Sequence, residues 1–202
     1  MHPQATPIRH TFRAFTLVEL LTVIAIVGIL AALVMVSVGR VRQGAKTALC
    51  ASNLRQLYVG TQLFAQDNRN LLPALYYEKP WYTVLRDGYL HDEKVFFCPS
   101  SSIEPAFNST AISYGWNIYL DKGVNVAPHL QVRNITNAKE LILMGDSQDE
   151  AGQQRLYIQY GNGTLLAGAR HNESVNVVHA DGSLACVPKQ ALRELKYWTP
   201  KP

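Results

Sequence analysis

The fold of this chain is decided by residues 15–39, which read FTLVELLTVIAIVGILAALVMVSVG. The last twenty of these residues, 20–39, carry no charged side chain. Because a helix rises about 1.5 Å per residue, this run would reach about 30 Å, which is the thickness of the hydrocarbon core of a bilayer. The stretch therefore predicts one membrane-spanning helix near the N-terminus.

A secretory signal peptide is the alternative interpretation of the same stretch, since Ser37-Val38-Gly39 would serve as a small-residue cleavage site. Two observations argue against it. The uncharged run is longer than the apolar core of a usual signal, which has about 7–15 residues. In addition, a carboxylate, that of Glu19, lies at the N-terminal edge of the run.

Glu19 is the residue in this stretch that needs an explanation. A carboxylate at the centre of a membrane helix costs about 2.5–3.5 kcal/mol on insertion scales, and less near the interface. No other charged residue occurs between Arg13 and Arg40, so the neighbouring sequence offers no cation. Cleavage between Ala14 and Phe15 would create a new amino terminus, and the amine of one copy could then pair with Glu19 of a neighbouring copy.

Residues 13–21, RAFTLVELL, resemble the prepilin cleavage and methylation signal of type IV pilins and type II secretion pseudopilins. In that family a prepilin peptidase removes a short basic leader and the new terminal Phe is N-methylated. The resemblance implies cleavage between Ala14 and Phe15, methylation of Phe15, and a role for Glu19 in guiding filament assembly. The family usually has Gly where Ala14 stands, and we expect processing despite this difference because Ala is also small.

The resemblance also implies partners and a location. The partners would be a prepilin peptidase, other pilin or pseudopilin subunits and the lipid of the inner membrane. The protein would cross the inner membrane once, with its C-terminal body in the periplasm or on the cell surface as part of a filament. The charges flanking the run, Arg9 and Arg13 before it and Arg40, Arg42 and Lys46 after it, do not decide the orientation by themselves.

The composition excludes several other classes of protein. Hydrophobic residues make up 48% of the chain and charged residues 17%, which is unlike a disordered, charge-rich chain, and a mean hydropathy of −0.04 is unlike a protein with many membrane spans. The net charge of +4, from 19 basic and 15 acidic residues, is too small to indicate nucleic-acid binding. No nucleic-acid partner is therefore expected.

The helix is expected to continue beyond the membrane. Apolar and small residues recur at intervals of four and three positions, which places them on one helical face: Cys50, Leu54, Leu57, Thr61 and Phe64. We therefore expect a leader over residues 1–14, a transmembrane and assembly helix over 15–39, its continuation over 40–70, and a body over 71–202. The predicted fold class is α+β and pilin-like, with a long N-terminal helix, apolar in its membrane-embedded half, packed on a small antiparallel sheet.

Turn residues divide the body into short segments. Alternating and buried-type runs predict a short helix over 80–90 and strands over 94–98, 112–120, 140–144 and 156–160. The clearest unit is a hairpin of strands 174–180 and 183–187 joined by Asp181-Gly182, for which the sequence predicts a type I′ turn.

Several landmarks of the body resemble a pilin-like group that is known for a C-terminal His-x9-Asp-Gly signature. Residues 50–57 read CASNLRQL and residues 97–100 read FCPS, and Arg170 precedes His171. Nine residues, 172–180, separate His171 from Asp181-Gly182, as the signature requires.

The sequence contains no motif of an active site, so we expect no enzyme activity and no cofactor. The competing interpretation is a membrane-anchored periplasmic binding module or hydrolase whose site would be formed by Asp146, His171 and His179. Together with Asp181, these residues could be drawn as a metal site. If residues 171–179 formed one extended strand, the two histidines would lie about 27 Å apart and could not share a metal ion. We therefore expect no metal site, and a polar cluster of Asp146, Arg170 and His171 that holds a loop to the sheet.

The three cysteines leave one question open. Cys50 and Cys98 would form a disulfide in an oxidising compartment, or they would remain two buried thiols. Cys186 is left over and is expected to be buried in the last hairpin.

Overall fold

A computed structural model describes most of the chain. The described residues are 16–108, 111–121, 130–148, 152–155, 157–161 and 164–201. The leader, the predicted cleavage site between Ala14 and Phe15, and Phe15 itself lie outside them. The chain divides between Arg42 and Gln43 into two compact units, so the later part of the long helix belongs with the body.

The long N-terminal helix is present as α1, Leu17–Asp67, and has 51 residues. It ends where Asn70 donates its N–H to the carbonyl of Ala65 at 2.7 Å, and both Arg69 and Asn70 adopt a positive φ. This left-handed pair closes the last turn of the helix, as expected for a C-terminal cap. The expectation of a helix from the membrane run to about Asp67 is confirmed.

Within the described residues, the first unit consists of Thr16 and the apolar part of α1 up to Arg42. The side chains described from Leu17 to Val41 are exposed, Leu17 by 80% and Met35 by 77%. In length and composition α1 is sufficient to cross a membrane.

Where the structure describes it, the second unit contains one further α-helix and two sheets. Helix α2 is Trp81–Gly88, and the smaller sheet pairs β1, Tyr76–Tyr77, with β2, Lys79–Pro80. The remaining strands are β3 (Tyr114–Asn117), β4 (Ile142–Asp146), β5 (Tyr157–Gly161), β6 (Thr164–Leu166), β7 (Ser174–His179) and β8 (Leu184–Pro188). Short 3₁₀ helices occupy Glu93–Phe96, Ile118–Leu120, Val132–Asn134, Lys189–Arg193 and Leu195–Tyr197.

The main sheet has six strands in the order β6-β5-β3-β4-β7-β8 and is mixed. The prediction of an antiparallel sheet is wrong for one pair, because β3 and β5 are parallel with Trp116 opposite Tyr157. Strands β4 and β5 flank β3 on opposite sides. Strand β4 runs antiparallel to β3 and ends beside the start of β3, where Asp146 pairs with Tyr114. Strand β5 begins near the same end of β3 and therefore runs parallel to it. The other neighbouring pairs are antiparallel.

Two hydrophobic clusters form the core of the second unit. One joins the buried face of α1 to α2 and to the sheet, and includes Leu54, Leu57, Trp81, Leu85, Phe96 and Trp116. The other includes Ile142, Ile158, Val175, Val177, Leu192 and Trp198. Strand β7 separates them, because Val175 and Val177 point to the second cluster while Val178 belongs to the first.

In three places the structure differs from what the sequence predicts. Residues 94–98 do not form a strand, because the Asp92 side chain accepts a hydrogen bond from the N–H of Lys94 at 3.0 Å and starts the 3₁₀ helix Glu93–Phe96. Strand β6 was not expected, since it is only three residues long. Between β7 and β8 the turn is not type I′, because only Gly182 has a positive φ, of 85°. The turn follows the three-residue hairpin pattern, which needs one left-handed residue.

Candidate functional site

Helix α1 begins with a capping box formed by Thr16 and Glu19. The backbone N–H of Thr16 donates to Oε2 of Glu19 at 2.9 Å, and the N–H of Glu19 donates to Oγ1 of Thr16 at 3.2 Å. The hydroxyl of Thr16 also donates to the same carboxylate oxygen at 2.7 Å. The two residues therefore satisfy backbone groups at the helix start that the helix itself leaves without partners.

This role of Glu19 was missed in the sequence, although the signal for it is present. Thr16-Leu17-Val18-Glu19 has the Ser/Thr-x-x-Glu spacing of a capping box directly before an apolar run. All the bonds to the Glu19 side chain within the described residues end on Oε2. A carboxylate has two acceptor oxygens, so the capping box is compatible with a second partner at Oε1.

The second group of interest is buried between α1 and the sheet, around His171. The carboxylate of Asp146 lies with Oδ2 3.2 Å from Nε2 of His171 and with Oδ1 3.4 Å from Nη1 of Arg170. The side chains of Asp146 and His171 are almost fully buried, at 0% and 1% exposed. The predicted polar cluster of Asp146, Arg170 and His171 is therefore confirmed.

Backbone groups hold this cluster in place. Oδ2 of Asp146 accepts the N–H of Asn176 at 2.9 Å, and Nη1 of Arg170 donates to the carbonyl of Ser113 at 3.0 Å. Burial lowers the pKa of Arg170, and the neighbouring carboxylate of Asp146 opposes this shift. A buried charged pair remains stable only if its other hydrogen-bonding groups are satisfied, and these contacts supply that condition.

The other ring nitrogen of His171 faces helix α1, and a disulfide lies near the nitrogen that contacts Asp146. Its Nδ1 lies 3.1 Å from Oγ1 of Thr47, and its Nε2 lies 3.6 Å from Sγ of Cys98. Cys50 and Cys98, the two cysteines considered as a pair in the sequence, are joined by a disulfide. Cys186 is a free cysteine on β8 and is exposed, contrary to the expectation that it is buried. We call the group formed by Cys50, Cys98, Asp146 and His171 the His171 cluster.

The Asp181-Gly182 turn contacts helix α1 at a point further along the helix than Thr47. A Cβ on Gly182 would lie 2.5 Å from Cε1 of Tyr58, so this position excludes a larger residue for a steric reason as well as for its positive φ. The carboxylate of Asp181 accepts the N–H of Ser183 at 2.9 Å and the hydroxyl of Ser183 at 2.6 Å, which fixes the turn. Asp181 is thus a turn residue.

The spacing between His171 and the Asp181-Gly182 turn matches the helix that both contact. Thr47 and Tyr58 are eleven residues apart on α1, which is about 16–17 Å along the helix axis. Strand β7, Ser174–His179, extends over a similar distance at about 3.3 Å per residue. His171 and Gly182 therefore meet the helix about three turns apart.

His179 does not join His171 in one site. The chain turns at Asn172 and Glu173, both with positive φ, so residues 171–179 do not form a single extended strand. His179 nevertheless lies at the far end of β7, where its Nδ1 is 3.3 Å from the hydroxyl of Ser183. Burial lowers the pKa of His179, and Ser183 and Asp181 partly oppose the shift. The group of Asp146, His171 and His179 that the competing interpretation requires is therefore not assembled.

Comparison with known proteins gives a match over the N-terminal part of the chain. Residues 9–35 match a family model described as the prokaryotic N-terminal methylation motif. No curated protein and no solved structure matches the chain. The chain thus carries a prepilin-type methylation motif, and this motif is followed by an apolar helix that is suited to a membrane.

Proposed function

We propose that the chain is a structural subunit of a type II secretion pseudopilus or of a type IV pilus-like filament, and that it acts without enzyme activity. A prepilin peptidase would cleave it between Ala14 and Phe15, and Phe15 would be methylated. The observation that carries this proposal is the overlap between the methylation motif, residues 9–35, and the exposed apolar part of α1.

The exposed part of α1 suits both environments that a filament subunit would occupy, the membrane and the filament. In the inner membrane its apolar side chains would contact lipid. In a filament the same side chains would be buried against the helices of neighbouring subunits, which removes the need for lipid. Because these side chains are apolar on all sides of the helix, they need an apolar environment at each stage.

Glu19 would guide assembly in this proposal. The capping box uses Oε2 of its carboxylate, and the new amine of Phe15 in a neighbouring subunit would bind the carboxylate as well. The pairing would offset the cost of placing a charge in the membrane. The body would remain in the periplasm or on the cell surface.

The anchored binding module or hydrolase receives less support. Asp146 and His171 are buried, so a substrate could not reach them without a change in structure. A groove of about 840 Å³ lies next to Cys98 and is lined by Asn53, Phe97 and Ser113 among others. Neither Asp146 nor His171 is among the described residues that line it.

The cheapest test is the mass and N-terminal sequence of the protein purified from membranes of cells that contain a prepilin peptidase. We expect a chain that begins at methylated Phe15. A chain that retains Met1, or one that begins after Gly39, would contradict the proposal.

Glu19→Gln tests the assembly step separately. This variant should still be cleaved, because the cleavage site is unchanged, but it should fail to enter filaments when it is produced together with the wild-type chain. Glu104→Gln, a matched change at an exposed position of the body, should assemble normally. Equal assembly of the two variants would contradict the role of Glu19.

A further inference from the structure

The His171 cluster brings together three atoms of the kinds that bind metal ions. Sγ of Cys50, Sγ of Cys98 and a ring nitrogen of His171 lie within 4.8 Å of one another, and all three residues are buried. Oδ2 of Asp146 lies 3.2 Å from Nε2 of His171. Three ligand atoms, from α1, the segment after the first 3₁₀ helix and the segment before β7, thus lie together, and the carboxylate of Asp146 on β4 lies beside the histidine.

Two of the observed separations are those between ligands of a tetrahedral zinc ion. With Zn–N and Zn–O bonds of about 2.0–2.1 Å and Zn–S bonds of about 2.3 Å, tetrahedral angles place N and O ligands about 3.3 Å apart, and N and S ligands about 3.6 Å apart. The His171–Asp146 distance is 3.2 Å and the His171–Cys98 distance is 3.6 Å. Both sulfurs must be free thiolates to bind an ion, so the disulfide excludes zinc in the oxidised protein.

The groups around these ligands are arranged as in known metal sites. A histidine ligand is usually oriented by a hydrogen bond at its other ring nitrogen, and Nδ1 of His171 lies 3.1 Å from the hydroxyl of Thr47. Carboxylate ligands are usually hydrogen-bonded too, and Asp146 contacts both Arg170 and the N–H of Asn176.

The charges favour a divalent ion of intermediate softness. Two thiolates and the Asp146 carboxylate carry three negative charges, and Zn²⁺ together with Arg170 carries three positive charges. A buried site with this balance has no net charge to desolvate. Two sulfur ligands and one imidazole favour Zn²⁺ and disfavour Mg²⁺ and Ca²⁺, which prefer oxygen ligands.

We propose that reduction of the Cys50–Cys98 disulfide converts the His171 cluster into a Zn²⁺ site with Cys50, Cys98, His171 and Asp146 as ligands. A dithiol or phosphine reductant gives two electrons to the disulfide, and two protons complete the two thiols. When Zn²⁺ binds, the two thiols release those protons and each sulfur forms a bond to the metal. The oxidised chain holds α1 to the segment around Cys98 by a covalent bond, and the reduced chain holds them by the ion.

The test uses the full chain in detergent, oxidised or reduced with a phosphine, and dialysed against zinc chloride. We expect about one Zn²⁺ per chain in the reduced protein and none in the oxidised protein. Co²⁺ in place of Zn²⁺ should give the absorption bands of a tetrahedral site with sulfur ligands. Absence of bound metal in the reduced protein, whether or not it stays folded, overturns the proposal.

Variants distinguish this site from two thiols that bind metal without structure. His171→Ala should weaken Zn²⁺ binding by more than 100-fold, and Thr47→Val, which keeps all four ligands, by about 10–100-fold. Cys186→Ser is the matched control, since it removes the exposed cysteine and should leave the affinity unchanged. If His171→Ala binds Zn²⁺ as tightly as the wild-type chain, the proposal is wrong.

Discussion

The two parts of α1 have similar helical backbones and opposite surroundings. From Leu17 to Val41 the described apolar side chains are exposed, whereas Cys50, Leu54 and Leu57 are fully buried in the core of the second unit. The earlier part is apolar on all sides, and the later part is apolar on one face and polar on the other. The later pattern is that of a helix with a partner inside its own chain, and the earlier pattern is that of a helix whose partner must come from outside.

This difference links the later part of α1 to the stability of the body and the earlier part to assembly. Changes in the later part of α1 should alter the free energy of unfolding of the body, because its side chains pack there. Changes in the earlier part should leave that free energy unchanged and should affect contacts with lipid or other subunits. Matched substitutions in the two parts therefore test the comparison directly.

The largest effect is expected from the disulfide of the later part. The double variant Cys50→Ala/Cys98→Ala should lower the free energy of unfolding by about 4 kcal/mol, because the bond closes a loop of 48 residues in sequence. Denaturant unfolding of the full chain in detergent, with a metal chelator present, measures this value. Cys186→Ser should change it by less than about 0.5 kcal/mol. A loss below about 1 kcal/mol in the double variant would show that the bond does not stabilise the body.

A leucine from each part of the helix gives the clearest comparison. Leu54→Ala should destabilise the body by about 3 kcal/mol, because it leaves a cavity in a fully buried position. Leu30→Ala, the same change at a position that is 56% exposed, should have no measurable effect on unfolding of the body. The same denaturant measurement serves for both, and equal losses would mean that the two parts of α1 do not differ as described.

A smaller difference is expected between two threonines of α1. The hydroxyls of Thr22 and Thr47 both donate to backbone carbonyls of the preceding turn, those of Glu19 and Gln43, but only Thr47 also contacts His171. Thr47→Val should lower the stability of the body by about 1–2 kcal/mol, because a buried ring nitrogen loses its partner. Thr22→Val should not change the thermal unfolding of the body, and a similar drop in both variants would contradict this assignment.

The smallest effect concerns pH. Burial lowers the pKa of His179 below its ordinary value of 6.5, so the unfolded chain binds a proton at pH values where the folded chain does not. The buried neutral His179 therefore contributes to the free energy of unfolding above pH 6.5, and this contribution is lost as the pH falls below that value. Unfolding measured at about pH 7.5 and pH 5.5 should show a smaller pH dependence in His179→Gln than in the wild-type chain. An unchanged dependence would exclude His179 as its source.

Much of the fold could be predicted because its patterns are long or local. The uncharged run, the helical spacing after it and the position of the turn at Asp181-Gly182 each depend on neighbouring residues only, although the type of that turn was predicted wrongly. The parallel pairing of β3 and β5 depends on the order of strands in space, which no local pattern encodes. The strand predicted over 94–98 failed because one capping side chain, Asp92, determined the local structure.

The candidate sites, like the fold, could be predicted where their residues are neighbours in sequence and could not be predicted where they are distant. The motif around Glu19 could be identified because its residues are contiguous, and the capping box could have been found from the same four positions. Thr47, the partner of His171 on α1, could not be identified from the sequence, because it is 124 residues away from His171 and has no unusual neighbours. Cys50 and Cys98 could be considered as a pair from the sequence, with two buried thiols as the alternative, but nothing in the sequence places either sulfur next to an imidazole.

The disulfide also determines how the protein carries mechanical load. If the N-terminal end of α1 is held and the C-terminal region is pulled, tension crosses from Cys50 to Cys98 through the covalent bond. Residues 51–97, which include the rest of α1 and all of α2, are then bypassed and carry none of that tension. In the oxidised chain this region cannot be stretched out before a covalent bond breaks, so under a pulling force only the segments on either side of the loop can extend.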